Sequence, residues 1–421
     1  MDFYLGIDFG TSGARALAID SQGNSVATQQ TSFGSIPPQQ LVKTWQTTLF
    51  ELIRQISPSI RQNLRAIAID GTSSTVLLSD AGGKIITEPL LYNDSRGKSV
   101  LPEIAHIAPR NHVVNSASSS LAKLIWWSQQ AYFDRGSHLL HQADWLAYLL
   151  HGQLGISDYH NALKLGYDVE RLCYPDWLQN QSFHRLYPQV VTPGTSIATV
   201  LPVNCQSLNL PTNCVVKAGT TDSIAAFLAS GAHQPGEGVT SLGSTLVLKL
   251  LTRTKVTATE LGIYSHRLGK LWLAGGASNT GGAVLKHFFT DEELVKLSQA
   301  IDPNIPSPLK YYPLLTSGDR FPINDPNLPP CLEPHPKQPR DFLYGLLESM
   351  ARIEALGYQK LQSLGSEKLS CVYTAGGGAK NTVWQKIRQR QLMVPVKVAA
   401  RTEAAYGTAL LAMGRFSTLL N

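Results

Sequence analysis

The sequence contains few cysteines, and they form no recognisable framework. There are five in 421 residues, and no two of them are spaced as C-x-x-C. A disulfide-stapled secreted domain and a cysteine-based zinc site are therefore not expected. Reduced thiols in a cytoplasmic protein are the expected state.

Long apolar runs are also missing. No stretch of about 18 apolar residues occurs, which argues against a membrane span. The opening residues MDFYLGID lack the basic start and the apolar core of a signal peptide. We therefore expect no membrane partner.

Charged residues are sparse and evenly spread. They make up 16% of the chain, the net charge is +6, and no Lys/Arg block concentrates it. Without a basic helix or an aromatic-basic motif, a nucleic-acid partner is not expected. A small phosphorylated ligand suffices to account for the mild positive balance. The sequence indicates no particular oligomeric state.

Length and composition favour an α/β protein of two domains. The chain is too long for one ordinary core, and 43% of it is hydrophobic. The stretch GAHQPGEG at residues 231–238 is the best linker because it concentrates Gly and Pro. We place the boundary there, with domains at residues 1–232 and 233–421.

Hydrophobic periodicity predicts a strand–turn–strand unit that occurs twice. Strands are expected at residues 4–8, 14–19, 26–30, 64–70, 76–78, 215–218, 239–241, 246–251 and 371–374. Helices are expected at residues 41–56, 120–150, 224–230, 341–364, 381–393 and 403–414. The Pro-rich residues 301–340 are expected to be irregular.

The opening turn carries the first candidate site. In LGIDFGTSGARALAID, a strand ends at Asp8, and the turn Gly10, Thr11, Ser12, Gly13 follows. The glycines permit a tight turn whose N–H groups face an anion, and the hydroxyls add donors. Asp8 can hold hydrated Mg²⁺ or orient a substrate hydroxyl. A hairpin with a polar tip is the alternative.

Three further segments suggest phosphate and nucleotide chemistry. SLGSTLVLKL offers a second small turn, and GTTDSIAAFLASG begins a helix with an acid that is either a cap or a general base. In TAGGGAKNTVWQ, glycines allow close approach of a flat ligand, while a tryptophan either lines an adenine pocket or packs the helix. The residues concerned are Gly243, Ser244, Thr245, Asp222, Gly377, Gly378, Asn381 and Trp384.

These segments, in this order, resemble the FGGY family of carbohydrate kinases. LLYNDSRG is similar to its W-x-D-x-R segment, with Tyr92 in place of Trp, and SDYHNA to its D-x-S-x-A segment, with His160 in place of Ser. The resemblance spans nearly the whole chain. It implies two ribonuclease-H-like domains of the actin/hexokinase/Hsp70 superfamily flanking a cleft.

The resemblance also implies roles for the candidate residues. Asp222 is the general base, and Asp8 is the carboxylate for Mg²⁺ or the sugar. Gly10, Thr11, Ser12 and Gly13, with residues 243–245, contact the phosphates of ATP. Gly377, Gly378, Asn381 and Trp384 border the adenosine. Ser73, Ser74 and Asp94 join Asp8 and Asp222 as sugar-binding candidates.

The substrate is inferred from departures within the family. Xylulose kinases tend to carry Gln-Met-His where this chain has Thr72, Ser73 and Ser74. The chain most resembles the short pentulose kinases of plants and cyanobacteria, which links it to D-ribulose. The hypothesis is ATP-dependent phosphorylation of a terminal ketopentose hydroxyl. The alternatives are a D-xylulose kinase, a glycerol or polyol kinase, and an ATP-driven switch of the actin or Hsp70 type.

Overall fold

A computed structural model of the chain describes residues 1–416, and these form two compact units. The first unit contains Met1–Ala229 and the segment from Glu403 onward, and the second contains Ser230–Thr402. No helix among residues 1–416 combines the length and apolar composition needed to cross a bilayer.

The strands follow the expected order along the chain. They are β1 Phe3–Phe9, β2 Gly13–Asp20, β3 Ser25–Ser32, β4 Leu64–Gly71, β5 Val76–Ser79, β6 His138–His141, β7 Ile156–Asp158, β8 Gln189–Val191, β9 Ser196–Thr199, β10 Val215–Lys217, β11 Thr220–Thr221, β12 Glu237–Leu242, β13 Leu246–Thr252, β14 Tyr264–Leu268, β15 Leu271–Ser278, β16 Cys371–Ala375 and β17 Val396–Val398.

The helices lie between and after these strands. They are α1 Leu41–Gln55, α2 Pro58–Arg61, α3 Leu101–Ile107, α4 Ser120–Ser128, α5 Gln142–His151, α6 Tyr159–Ala162, α7 Asp176–Gln179, α8 Pro202–Leu208, α9 Asp222–Ala229, α10 Gly282–Phe288, α11 Asp291–Gln299, α12 Pro339–Ser363, α13 Thr382–Leu392 and α14 Ala404–Met413.

The first unit is built on a mixed sheet of order β3-β2-β1-β4-β10-β9, with β11 pairing the end of β4. β1, β2 and β3 are antiparallel, whereas β4 runs parallel to β1. β1 buries Leu5, Ile7 and Phe9 completely. Strand alternation then places Asp8 on the opposite face from Ile7 and Phe9.

The second unit repeats this arrangement, as the recurring strand–turn–strand pattern predicts. Its sheet has the order β14-β15-β13-β12-β16-β17. β12 pairs antiparallel with β13 and parallel with β16. A buried ion pair lies beneath it, in which Arg388 donates to both oxygens of Glu354 at 2.6 and 2.7 Å and to the Thr374 hydroxyl at 2.7 Å.

The helix expected at residues 120–150 is wrong as a single element. α4 and α5 are separate helices, and β6 lies between them. β6 pairs antiparallel with β5, so that Val76 faces His141 and Ser79 faces His138. This pairing overrides the helical spacing of the apolar residues. It also starts α5 at Gln142, next to the turn that follows β4.

The last helix packs with the first compact unit, whereas the expected second domain covers residues 233–421. α14 packs on β1 and α9 through small residues. A Cβ at Gly6 would lie 2.1 Å from the Ala405 carbonyl oxygen, and one at Gly407 would lie 1.9 Å from that of Ala225. Only glycine permits these approaches. Residues 417–421 of the expected domain lie outside the described residues.

A fully buried lysine links two loops of the first unit. Lys123, on α4, donates from Nζ to the carbonyl oxygens of Ser74 and Leu91, both at 2.6 Å. Burial lowers the pKa of Lys123 to about 7, although the nearby Asp94 carboxylate opposes this. The ammonium therefore ties the turn after β4 to the segment that leads into Asp94.

We expect Gly407→Ala to destabilise the first unit by about 1–3 kcal/mol, because the added methyl group meets backbone. At an ordinary helix position Gly→Ala stabilises by about 1 kcal/mol. A loss of stability would therefore identify the close backbone contact at position 407. Urea unfolding measures the effect. Gly34→Ala is the control, since an added Cβ there meets nothing within 4 Å. A neutral or stabilising Gly407→Ala would contradict the close contact.

We expect Lys123 to make stability rise with pH above about 7. The unfolded chain keeps the lysine proton up to a pKa of about 10.4, so between these values the unfolded state binds more protons. The contribution is at most ~1.4 kcal/mol per pH unit. Urea unfolding at pH 7, 8 and 9 should show a shallower rise for Lys123→Met than for wild type.

The exposed Lys98→Met is the matched control for this measurement, because it removes a lysine from the surface of the first unit. It should follow the wild-type profile. Equal pH slopes for wild type and Lys123→Met would mean that position 123 does not titrate in this window.

Candidate active site

Three carboxylates gather where β1, β4 and β11 end in the first unit. Asp8 is the register partner of Asp70 across the parallel pair β1–β4, and Thr220 is the partner of Asp70 across β11–β4. Asp222 follows β11 directly, as the first residue of α9. The carboxyl ends of parallel strands thus bring acids from distant parts of the sequence to one edge.

Asp70 is the most buried of the three acids. It has no exposed surface, and the Thr408 hydroxyl donates to its Oδ2 atom. Burial, followed by repulsion from Asp8, holds the pKa of Asp70 well above its usual range. Burial and the neighbouring Asp8 carboxylate therefore both disfavour the charged form of Asp70.

The pKa of Asp8 is also raised, but as the net result of several opposing effects. Burial raises it, the hydrogen bond with Asp70 lowers it, and repulsion from Asp222 raises it again, while Arg15 opposes. Because Asp222 acts on both other carboxylates, the three groups lie within electrostatic reach of one another. Crowded acids of this kind are typical of functional sites.

Asp222 makes a local contact at the start of α9 and lies near the other two acids. Its Oδ1 atom accepts the Ser223 N–H at 2.6 Å, which is local contact at the start of the helix. The side chain is half-buried beside Asp8 and Asp70, not turned into bulk solvent. His160, the residue in place of serine, contacts the Thr220 hydroxyl at 2.8 Å through Nδ1 and so supports the strand before Asp222.

The turn between β1 and β2 presents hydroxyl groups at its tip. Gly10 donates its N–H to the Gly13 carbonyl at 3.0 Å, and Thr11 and Ser12 are exposed. A Cβ at Gly13 would lie 2.4 Å from the Thr31 carbonyl oxygen, so β3 can approach only a glycine. The turn leaves the hydroxyls of Thr11 and Ser12 accessible to a ligand.

The turn after β4 corrects one candidate. Ser74 is buried, its backbone has a positive φ of 65°, and its hydroxyl has no partner among the described residues. It therefore does not face a substrate. Ser73 is half-buried and stays a candidate. Thr72, which was not singled out, lines a cavity of about 170 Å³ together with Thr11.

Asp94 lies beside a second, larger cavity. This cavity measures about 390 Å³. Arg96 forms a salt bridge with Asp94 at 2.7 Å and stacks over the Trp126 ring at 5.0 Å. Burial acts to raise the pKa of Asp94, but the hydrogen bonds and charge of Arg96 outweigh it and lower that pKa. The carboxylate is thus held ionised by an arginine at the cavity wall.

In the second unit, the turn after β12 rests on glycine. Gly243 and Ser244 accept N–H groups from Gly282 and Ala283 at 2.8 and 3.1 Å. A Cβ at Gly282 would lie 2.6 Å from the Gly243 oxygen. The backbone at the start of α10 therefore fixes the turn at residues 243–245 through these hydrogen bonds. The Ser244 side chain is exposed.

The glycine segment after β16 lies against this turn. A Cβ at Gly376 would be 2.7 Å from the Leu242 carbonyl oxygen, whereas one at Gly377 would meet nothing within 4 Å. A Cβ at Gly378 would meet the side chains of Leu242 and Trp384 at 2.7 and 2.8 Å. Open backbone at Gly377 is thus available to a flat ligand.

Trp384 and Asn381 have structural roles in this unit. The Trp384 indole is 2% exposed and donates to the Leu347 carbonyl at 3.2 Å, so packing, and not adenine contact, explains it. The Asn381 side chain caps α13 by accepting the Trp384 N–H at 2.9 Å, and it donates to Ser298 at 2.8 Å. These contacts fix the path of the chain beyond the glycines.

The acids at the end of β1 and β4 fit a hard divalent cation only in part. Residues 1–416 contain no group of three acidic, histidine or cysteine side chains arranged as a metal cage. The Asp70 Oδ1 atom, however, is buried and has no hydrogen-bond partner among the described residues. One or two carboxylates with water and phosphate oxygens are the usual ligands of Mg²⁺. The donor set therefore suits Mg²⁺ held jointly with a nucleotide.

Asp70 is the acid that the sequence interpretation missed. It ends β4 as Asp8 ends β1, and two strands in parallel register put such residues side by side. That signal was present in the sequence, but it depends on knowing that the strands are adjacent.

Comparison with known proteins agrees with this architecture. Residues 3–229 match the N-terminal domain and residues 238–414 the C-terminal domain of the FGGY family of carbohydrate kinases. The chain is 24% identical to an Escherichia coli xylulose kinase, over 91% of this chain and 84% of that protein. It is 24% identical to an E. coli L-fuculokinase, over 97% of this chain and 91% of that protein.

A solved structure shares the fold. The structure described as a "xyloylose kinase" from Brucella ovis superposes with a TM-score of 0.85 at 24% identity, covering 99% of this chain and 91% of that one. The repeated sheet, the strand-end acids and the two family matches lead to one conclusion. The chain belongs to the FGGY family of carbohydrate kinases, and it is a sugar kinase with an actin/hexokinase-like fold.

Proposed function

We propose that this kinase uses ATP to phosphorylate the terminal hydroxyl of a ketopentose, with D-ribulose as the first candidate and D-ribulose 5-phosphate as the product. The observation that carries the proposal is the half-buried Asp222 at the start of α9, beside Asp8 and Asp70. Transfer to an alcohol needs a carboxylate that orients the hydroxyl and accepts its proton.

Each acid has a separate task in this mechanism. Asp222 takes the proton as the hydroxyl oxygen attacks the terminal phosphorus of ATP, and ADP leaves. Asp8 orients the reacting groups, and Asp70 restrains Asp8. Because burial disfavours the charged form of Asp70, this residue adds little negative charge near the incoming phosphates.

The two hydroxyl-bearing turns supply hydrogen-bond donors. Thr11 and Ser12, with Gly10 and Gly13, serve the phosphates from the first unit. Gly243, Ser244 and Thr245 serve them from the second. Donors fixed in advance stabilise charge on the moving phosphoryl group without reorganisation. Gly377 and Gly378 offer open backbone to the adenosine.

Asp8 would hold Mg²⁺ together with phosphate oxygens. When bound, the ion neutralises phosphate charge during transfer. Asp8 suits this role because its carboxylate is partly accessible and is oriented by Asp70.

The choice of ketopentose rests on the residues near the acids. Thr72 and Ser73 replace the larger side chains expected of a xylulose kinase, and Thr72 lines the smaller cavity. Two short hydroxyl side chains suit a polyhydroxylated chain, and the resemblance to the short pentulose kinases of plants and cyanobacteria supports D-ribulose among the ketopentoses. The relatives named xylulose kinase support D-xylulose as the second candidate.

We expect Asp222→Asn to lower kcat for the sugar by ~10²–10⁴ because general-base assistance is lost. Binding of ATP should be preserved, as measured by calorimetry. The control is Asp176→Asn, which removes an exposed acid from the first residue of another short helix, α7. Turnover by Asp222→Asn within about tenfold of wild type would show that Asp222 is not the base.

We expect D-ribulose to give the highest kcat/KM in a panel with D-xylulose, L-ribulose and glycerol under ATP and Mg²⁺. A coupled assay for ADP measures this. A preference for D-xylulose or glycerol would change the assigned substrate and leave the proposed mechanism unchanged. ATP hydrolysis that no sugar stimulates would favour a switch protein and overturn the proposal.

A further inference from the structure

The smaller cavity of the first unit has one polar wall and one apolar wall. It measures about 170 Å³ and adjoins Thr11 at the tip of the β1–β2 turn. Phe33 and Trp45 contribute to the apolar side, and Thr72 and Gln142 to the polar side. A site with an apolar lining and few polar groups is typical of small-ligand recognition, because the polar groups select the orientation.

The Gln142 amide is oriented by the turn after β4. Its Oε1 atom accepts the backbone N–H and the hydroxyl of Thr72, both at 3.1 Å. A backbone N–H only donates, so the amide atom that faces it is the oxygen. The NH₂ group therefore occupies the other position of the carboxamide.

A chain of hydrogen bonds reinforces this orientation. The Tyr92 N–H donates to the Thr75 hydroxyl oxygen at 3.0 Å, and the hydroxyls of Thr75 and Thr72 are 2.5 Å apart. The Thr72 hydroxyl then donates to Gln142. When each hydroxyl donates onward, the chain ends on Oε1, and such chains strengthen their members cooperatively.

The amide nitrogen of Gln142 takes no part in this chain of hydrogen bonds. Gln142 is only 2% exposed, and within residues 1–416 its Nε2 atom donates to no protein group. The Nε2 atom also keeps some solvent-accessible surface, because it is not one of the fully buried side-chain atoms that lack a partner. Its accessible surface therefore belongs to the cavity that Gln142 lines.

We propose that Gln142 determines specificity by donating an amide N–H to an oxygen of the sugar held in this cavity. This inference rests on the proposed function and adds a residue that it does not use. A ligand without an acceptor at that point leaves a nearly buried N–H unpaired, which is costly. A site built to hydrogen-bond a substrate oxygen discriminates strongly against analogues that lack it.

Gln142→Glu is the variant that tests the proposed amide donor most directly. It keeps an oxygen for both Thr72 donors and replaces the NH₂ group with a second oxygen of nearly the same size. We expect the Kd for the ketopentose to rise about 10–100-fold in calorimetry without ATP. KM for the sugar should rise similarly, while kcat and KM for ATP change less than about threefold.

Gln153→Glu is the matched control. It makes the same chemical change at an exposed position just beyond the end of α5. It should bind the sugar like wild type. Equal thermal midpoints for the two variants would exclude unfolding as the cause of weaker binding.

The outcomes separate this inference from the proposed function. If wild type phosphorylates a ketopentose and Gln142→Glu keeps its Kd within about twofold, Gln142 has no such role and the proposed function stands. If wild type turns over only another sugar but Gln142→Glu weakens its binding, the inference stands and the substrate assignment fails. No sugar binding by wild type would overturn both.

Discussion

The parallel register of β1 and β4 is the constraint on which the candidate active site of the first unit depends. It sets Asp8 beside Asp70, and the short pairing of β11 with the end of β4 brings Thr220 and then Asp222 to the same edge. A shift of one residue in either strand would turn its acid to the other face of the sheet. Backbone pairing alone therefore assembles acids that are far apart in sequence.

The three acids gathered in this way differ in their burial and in their surroundings. Burial disfavours the charged form of Asp70, Asp8 is partly accessible, and Asp222 lies at the start of a helix. Acids whose surroundings separate their ionisation can take different roles in one reaction. The second unit repeats the fold without repeating the acids, and glycines there leave backbone groups open to a ligand.

Much of this arrangement could be predicted from the sequence. Asp8 and Asp222 follow apolar strands and precede small-residue segments, so local pattern was enough to single them out. Ser74 and Trp384 could not be judged locally, because hydroxyl and indole groups look alike in sequence whether they face a ligand or the core. In the structure both side chains are buried, and their contacts are with residues distant in the chain: Lys123 donates to the Ser74 carbonyl, and Trp384 donates to the Leu347 carbonyl.

Two further features depended on tertiary contacts. The segment His138–His141 has apolar spacing suited to a helix, but pairing with Val76–Ser79 makes it a strand. That pairing fixes where α5 starts, and hence where Gln142 stands. Likewise, the composition of α14 predicted a helix correctly, while its assignment to a unit required the contacts of Gly6 and Gly407.

The position of α14 has a consequence for biosynthesis. The ribosome completes Ser230–Thr402 before it makes this helix, and at ~5–20 residues per second that takes on the order of ten to thirty seconds. During this interval the nascent first unit lacks the cover that α14 later gives to Ala66 and Ala68. The later unit can therefore finish folding first, while the earlier one presents an apolar face of the kind that chaperones bind.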